Sequence, residues 1–123
     1  MKKKIAIIGS TGSIGKTLID IIVKNKNKFE IKLLTANKDY KTLFRQAKIF
    51  NVKNLIITDP KNFKVSIKKN KNKTIKIFNH FNSLDVIFKK KIDYTMSSIT
   101  GINGLLPTIK MIKFTNKIAI ANK

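Results

Sequence analysis

A chain of 123 residues has room for one hydrophobic core and not for a large two-domain enzyme. Its 42% hydrophobic and 27% charged residues exclude disorder, and the absence of cysteine excludes a disulfide framework, a thiolate nucleophile and a cysteine metal site. The net charge of +21 points towards a polyanion, yet of 27 basic residues only Arg45 is arginine, and the lysines are scattered among Asn and Ile instead of gathered on one element.

That dispersion reads as the drifted composition of an adenine- and thymine-rich genome, so no nucleic-acid partner is expected. "MKKK" before "IAIIGS" does not read as a secretory leader, because Gly9 interrupts the apolar run and no small-residue cleavage site follows. No stretch approaches the ~18 apolar residues that cross a bilayer. No membrane partner is expected, and the cytoplasm is the expected compartment.

In chain order, Lys4 to Ile8 is a short apolar run suited to a strand buried on both faces of a parallel sheet. From Ser13 the period becomes helical, with Ile14, Leu18, Ile21 and Ile22 on one stripe. Glu30 to Thr35 is a second strand, and "DYKTLFRQAKIFN" a helix with Leu43, Ala47 and Phe50 inward. "VKNLIIT", residues 52–58, is a third strand closed by the Asp59-Pro60 turn signal. Residues 61–73 read as a lysine- and asparagine-rich surface helix or loop, and 74–78 as a strand. A helix over 82–91 is expected to be capped by Asn82 or Ser83, with its lysines at the C-terminal end. Tyr94 to Ile99 is a strand, Leu105 to Phe114 a helix, and Lys117 to Ala121 a final strand. This alternation predicts an α/β, Rossmann-like, doubly wound and mainly parallel sheet with helices on both faces, occupying residues 1–123 as one nucleotide-binding domain.

Chemistry concentrates in three places. Gly9-Ser-Thr-Gly12-Ser-Ile-Gly15 sits at the first strand-to-helix junction. There Gly9 permits a sharp turn, Gly12 lets backbone approach a pyrophosphate, and Gly15 lets the helix pack on the strand. Free N–H groups at the helix start would face phosphate, with Ser10, Thr11 and Ser13 as added hydroxyl donors. A glycine-rich turn alone is also compatible with a structural turn; its place between strand and helix favours nucleotide binding. Lys16 is not a Walker lysine, because that motif needs glycine where Ser10 stands.

At the end of the second strand, "LLTANKDY" offers Asn37 and Lys38 where an NAD enzyme places a carboxylate for the ribose hydroxyls. A carboxylate would repel a 2′-phosphate and Lys38 would attract it, which favours NADPH; the alternative is one more solvated surface lysine. "SSITGINGLLPT", residues 97–108, is the third place, with Gly101 and Gly104 offering close approach near a nicotinamide ribose or simply forming a strand-helix loop. His80 has no metal-spaced partner and reads as a surface or loop residue, and the six acids form no metal cluster.

"GSTGSIG" at the amino end, "ANKD", "ITGINGLLPT" and the terminal "ANK", in this order, closely resemble the N-terminal part of the 1-deoxy-D-xylulose 5-phosphate reductoisomerases. The resemblance spans this chain and about the first third of the family's length. It implies an NADPH-dependent oxidoreductase and isomerase of the methylerythritol phosphate route to isoprenoids, working on a phosphorylated sugar with Mg or Mn, usually as a homodimer. By position it implies Thr11, Gly12, Ser13 and Ile14 on the cofactor phosphates. Asn37, Lys38 and Asp39 would meet the adenosine ribose and 2′-phosphate, Asn122 the nicotinamide side, and Lys123 the substrate. Asp39 stands where the family has Asn. The metal ligands, catalytic histidine and lid lie beyond the matched part, so no catalytic or metal residue is expected here. The chain is expected to be a cofactor-domain fragment that does not turn over substrate alone.

Rival readings are weaker. Short-chain reductases need Tyr-x-x-x-Lys, but Phe44 follows Tyr40 and Ser98 follows Tyr94 at that spacing. Aspartate-semialdehyde dehydrogenases need a cysteine. Another NADP-binding reductase fragment, or a basic nucleotide- or nucleic-acid-binding module with steep salt dependence, stays open from the residues alone.

Overall fold

The computed structural model describes residues 2–99 and 101–120. Strands β1 (Lys3–Ile8), β2 (Phe29–Ala36), β3 (Asn54–Ile57), β4 (Lys76–Phe78), β5 (Ile92–Ser97) and β6 (Thr115–Ile120) form one sheet in the order β4-β3-β2-β1-β5-β6. Every neighbouring pair is parallel. Helices α1 (Ser13–Val23), α2 (Tyr40–Phe50), α3 (Pro60–Lys69), α4 (Leu84–Ile87) and α5 (Leu105–Met111) fill the crossovers. The chain winds outward from β1 through β4, then returns to lay β5 on the other side of β1. The order reverses between β1 and β5, and ligands of open parallel sheets bind outside the strand C-termini at such a point.

Alternation along the strands divides the core in two. Ile5 and Ile7 of β1, with Leu34, Leu55 and Ile57, pack on Ile19 and Ile22 of α1 and Leu43 and Ala47 of α2. Ala6 and Ile8, with Leu33 and Ile56, face Phe81, Leu84, Phe88 and Met111. Both sheet faces are thus covered, which explains the nearly continuous apolar run of β1.

The expected elements are present with two corrections. The inward stripe of α1 is Gly15, Ile19 and Ile22, while Ile21 is 56% exposed. Gly15 sets this rotation: a Cβ there would lie 2.3 Å from the Gly9 carbonyl oxygen, so only glycine lets α1 rest against the turn. The helix expected over 82–91 is a 3-10 turn, Phe81–Ser83, followed by the four residues of α4. Phe88 leaves helical geometry (φ −111, ψ 113) to bury its ring beside Phe114, and Ser83 makes no side-chain cap. The segment 61–73 is mostly helical: Asp59 caps α3 by accepting from the Asn62 N–H at 3.0 Å, and Pro60 occupies the first turn. At the far end of α2, Asn51 takes the left-handed conformation (φ 55) that ends a helix.

Candidate nucleotide site

β1 delivers the chain into Gly9, whose φ of +80 is open to glycine and strained for other residues. A side chain there would also meet Ile99 at 2.7 Å. The turn that follows is held from two directions. The Gly9 N–H donates to Thr35 Oγ1 at 2.8 Å and the Ser10 N–H to the Thr35 carbonyl at 2.9 Å. Ser10 Oγ donates to Gln46 Oε1 at 2.7 Å, and Gln46 Nε2 donates back to the Ser10 carbonyl at 2.9 Å.

Beyond Ser10 the chain opens to solvent: Gly12 and Ser13 are exposed, Thr11 and Ile14 half-buried. Gly12 begins α1 with no side-chain cap on the first N–H groups and no acid in the first turn, so the positive end of the helix is left uncompensated. A Cβ on Gly12 would meet nothing nearer than the Gly9 carbonyl oxygen at 3.9 Å. That is the geometry in which backbone N–H groups can receive an anion.

This turn forms one wall of a cleft of about 570 Å³ lined by Thr11, Gly12, Asn37, Thr58, Ser98 and Pro107, among others. The cleft runs across the C-terminal ends of the central strands at the β1–β5 switch point. Ser98 ties its two sides together: the N–H donates to the Ile8 carbonyl at 2.9 Å, and Oγ lies 2.9 and 2.7 Å from the Ile8 and Gly9 carbonyl oxygens. After β2, the Asn37 carbonyl accepts from the Asp59 N–H at 3.0 Å, which fixes the second loop to the third.

Asn37, Lys38 and Asp39 are all exposed after β2, and Lys38 and Asp39 line a shallower hollow of about 290 Å³ with Tyr40, Lys41 and Asn62. Asp39 Oδ1 accepts from the Thr42 N–H at 3.0 Å and so caps α2. Partial burial pushes its carboxyl pKa up, but the hydrogen bonds from Thr42 and the charges of Lys16 and Arg45 outweigh that and hold it below the usual value. Asp59 is lowered likewise, first by the bonds from Asn62 and then by Lys38 and Lys61.

The structure therefore brings Thr11, Gly12 and Asn37 to one cleft, while Ser13 and Ile14 follow in the first turn of α1 and Lys38 and Asp39 line a separate hollow. Asn122 and Lys123 lie outside the described residues. One expectation is corrected. Ser10 is no free hydroxyl donor; it is fully buried and spent on Gln46. Gly104 has a packing role, since a Cβ there would lie 2.4 Å from the Ile99 carbonyl oxygen. Gln46, Thr35 and Ser98 were missed. Only Gln46 carried a signal: an amide on the buried stripe of α2, between Leu43 and Ala47.

The profile of the 1-deoxy-D-xylulose 5-phosphate reductoisomerases matches residues 5–123. The chain belongs to that family. The reductoisomerase of Pelagibacter ubique is 55% identical over 98% of this chain and 32% of its own length. Among solved structures, the reductoisomerase of Zymomonas mobilis in complex with NADPH superposes with a TM-score of 0.87 at 29% identity, over 99% of this chain and 32% of that one. A reductoisomerase in complex with NADPH, fosmidomycin and magnesium gives 0.85 at 26% identity, over 98% and 30%. The chain spans about a third of the length of the relatives it matches. Among the described residues no three of His, Asp and Glu come together, so they do not fit the magnesium of that reductoisomerase complex. His80 is exposed and lines another hollow, with Asn79 and Lys110. No helix among the described residues is long and apolar enough to cross a membrane.

Proposed function

We propose that this chain provides the NADPH-binding part of a cytoplasmic reductoisomerase. That enzyme converts 1-deoxy-D-xylulose 5-phosphate to 2-C-methyl-D-erythritol 4-phosphate, with a divalent metal and as a homodimer, and without nucleic acid. The observation that carries the reading is the uncapped start of α1 at the switch point, opposite a β2 end that has no carboxylate reserved for a ribose. Thr11, Gly12, Ser13 and Ile14 receive the pyrophosphate through backbone N–H groups, with the Thr11 and Ser13 hydroxyls beside them. Asn37 and Lys38 meet the adenosine ribose and its 2′-phosphate, and Asp39 serves the helix instead. Asn122 and Lys123 reach the nicotinamide side and the substrate. When bound, NADPH supplies the hydride that reduces the rearranged sugar phosphate.

Titrating the chain with NADPH and NADH, read by nicotinamide fluorescence, tests this. NADPH should bind about tenfold more tightly, the size of one charge-assisted hydrogen bond. Gly12→Ala should abolish binding without lowering the thermal midpoint, because its φ of −74 suits alanine and the space for a Cβ is empty. Equal affinity for the two nucleotides, or none for either, would overturn the proposal.

A further inference from the structure

The amide of Gln46 reaches across 36 residues of sequence to grip one residue of the glycine turn at two atoms. Both partners are buried, Ser10 at 0% and Gln46 at 5% exposure, in a stripe of α2 that is otherwise apolar. A buried amide on such a face needs both a donor and an acceptor to be worth its desolvation. Ser10 supplies both, through its hydroxyl and its carbonyl. All the polar atoms of Ser10 are then used, since its N–H is held by Thr35.

The consequence lies in the next peptide unit. The Ser10 carbonyl and the Thr11 N–H belong to one planar trans peptide and point in opposite directions. Pulling the carbonyl towards Gln46 turns the Thr11 N–H away from α2, on the side where Thr11 lines the cleft. We infer that Gln46 is a positioning residue for the nucleotide phosphates, acting through the Ser10 carbonyl to aim the Thr11 N–H. This rests on the NADPH reading given above.

The amide can be imitated by a carboxyl only while that carboxyl is protonated. In Gln46→Glu the neutral side chain accepts from the Ser10 hydroxyl and donates to the Ser10 carbonyl. The carboxylate still accepts from the hydroxyl but sets a charged oxygen against that carbonyl. Affinity in this variant should therefore follow pH, being retained below the raised pKa of the buried carboxyl and lost as pH climbs through it.

The test measures NADP⁺, which withstands acid, against the whole chain by calorimetry between pH 5 and 8. Each variant is divided by wild type at the same pH, so that titration of the nucleotide itself cancels. Gln46→Glu should bind within about threefold of wild type at pH 5 and about tenfold more weakly at pH 8, the scale of one lost buried hydrogen bond. Gln46→Met should be about tenfold weaker at every pH, and Ser10→Ala, which keeps the carbonyl bond, within about threefold. If Gln46→Glu does not fold at pH 8, the contrast between Gln46→Met and Ser10→Ala decides. Variants that lose thermal stability yet bind like wild type, with no pH dependence, would show a merely structural amide and overturn the inference alone. A wild-type chain that binds no NADP⁺ would overturn the inference and the NADPH reading together.

Discussion

Asp39 stands one residue past Lys38, where its negative charge faces the place proposed for a 2′-phosphate. Its bond to the Thr42 N–H shows what it contributes in exchange: the start of α2. Asn accepts the same N–H, so Asp39→Asn should leave the thermal midpoint nearly unchanged and raise NADPH affinity about threefold by removing one repulsive charge. Asp39→Ala should lower stability by about 1 kcal/mol in denaturant titration, because the cap is lost. The pH dependence follows from the lowered pKa values of Asp39 and Asp59, whose ordinary value is 3.8. Their contribution is complete above that value and is lost as pH falls through the lower folded values, so acid titration of Asp39→Asn should show a shallower loss of stability there. The Asp59-Pro60 turn was legible in the sequence because its signal is local. The Ser10–Gln46 pair was not, because nothing in a linear reading joins two positions so far apart.

Among the elements, α1 shows how one residue sets an orientation that periodicity alone leaves ambiguous. The stripes Ile14–Leu18–Ile21 and Gly15–Ile19–Ile22 are neighbours on the helix, and the apolar residues fit either. What decides between them is contact at Gly15, where the Gly9 and Ser10 backbone comes too close for any side chain. Gly15→Ala should therefore cost about 3 kcal/mol in denaturant unfolding and weaken NADPH binding with it, since overpacking against backbone has little room to relax. Gly12→Ala, one turn earlier, should lose binding alone; measuring both variants separates the glycine that packs from the glycine that is open. The strand and helix alternation was legible because each element carries its own period. The end of α4 at Ile87 was not, because the burial of Phe88 is a tertiary event.

Across the whole molecule, a net charge of +21 is met by a single ion pair among the described residues, Lys32 to Glu30 at 2.6 Å, with both side chains more than a third exposed. Such a pair contributes little, and the repulsion among lysines is screened by salt. The thermal midpoint should rise by several degrees, roughly 3–6 °C, between about 10 mM and 300 mM NaCl, while NADPH affinity falls over the same range as its phosphates are screened. The fold class and the glycine turn were readable from 123 residues because they depend on local pattern. The cleft depends on sheet order, which puts the ends of β1 and β5 side by side although about 90 residues separate them. Whether this cleft holds the dinucleotide is decided by amide chemical shifts of the ¹⁵N-labelled chain, followed while NADP⁺ is added. The largest changes should fall at Thr11–Ile14 and Asn37–Asp39, with strand β4 and residues 61–73 nearly still. Changes spread over the lysine-rich surface, with the Thr11–Ile14 amides unmoved, would contradict binding there.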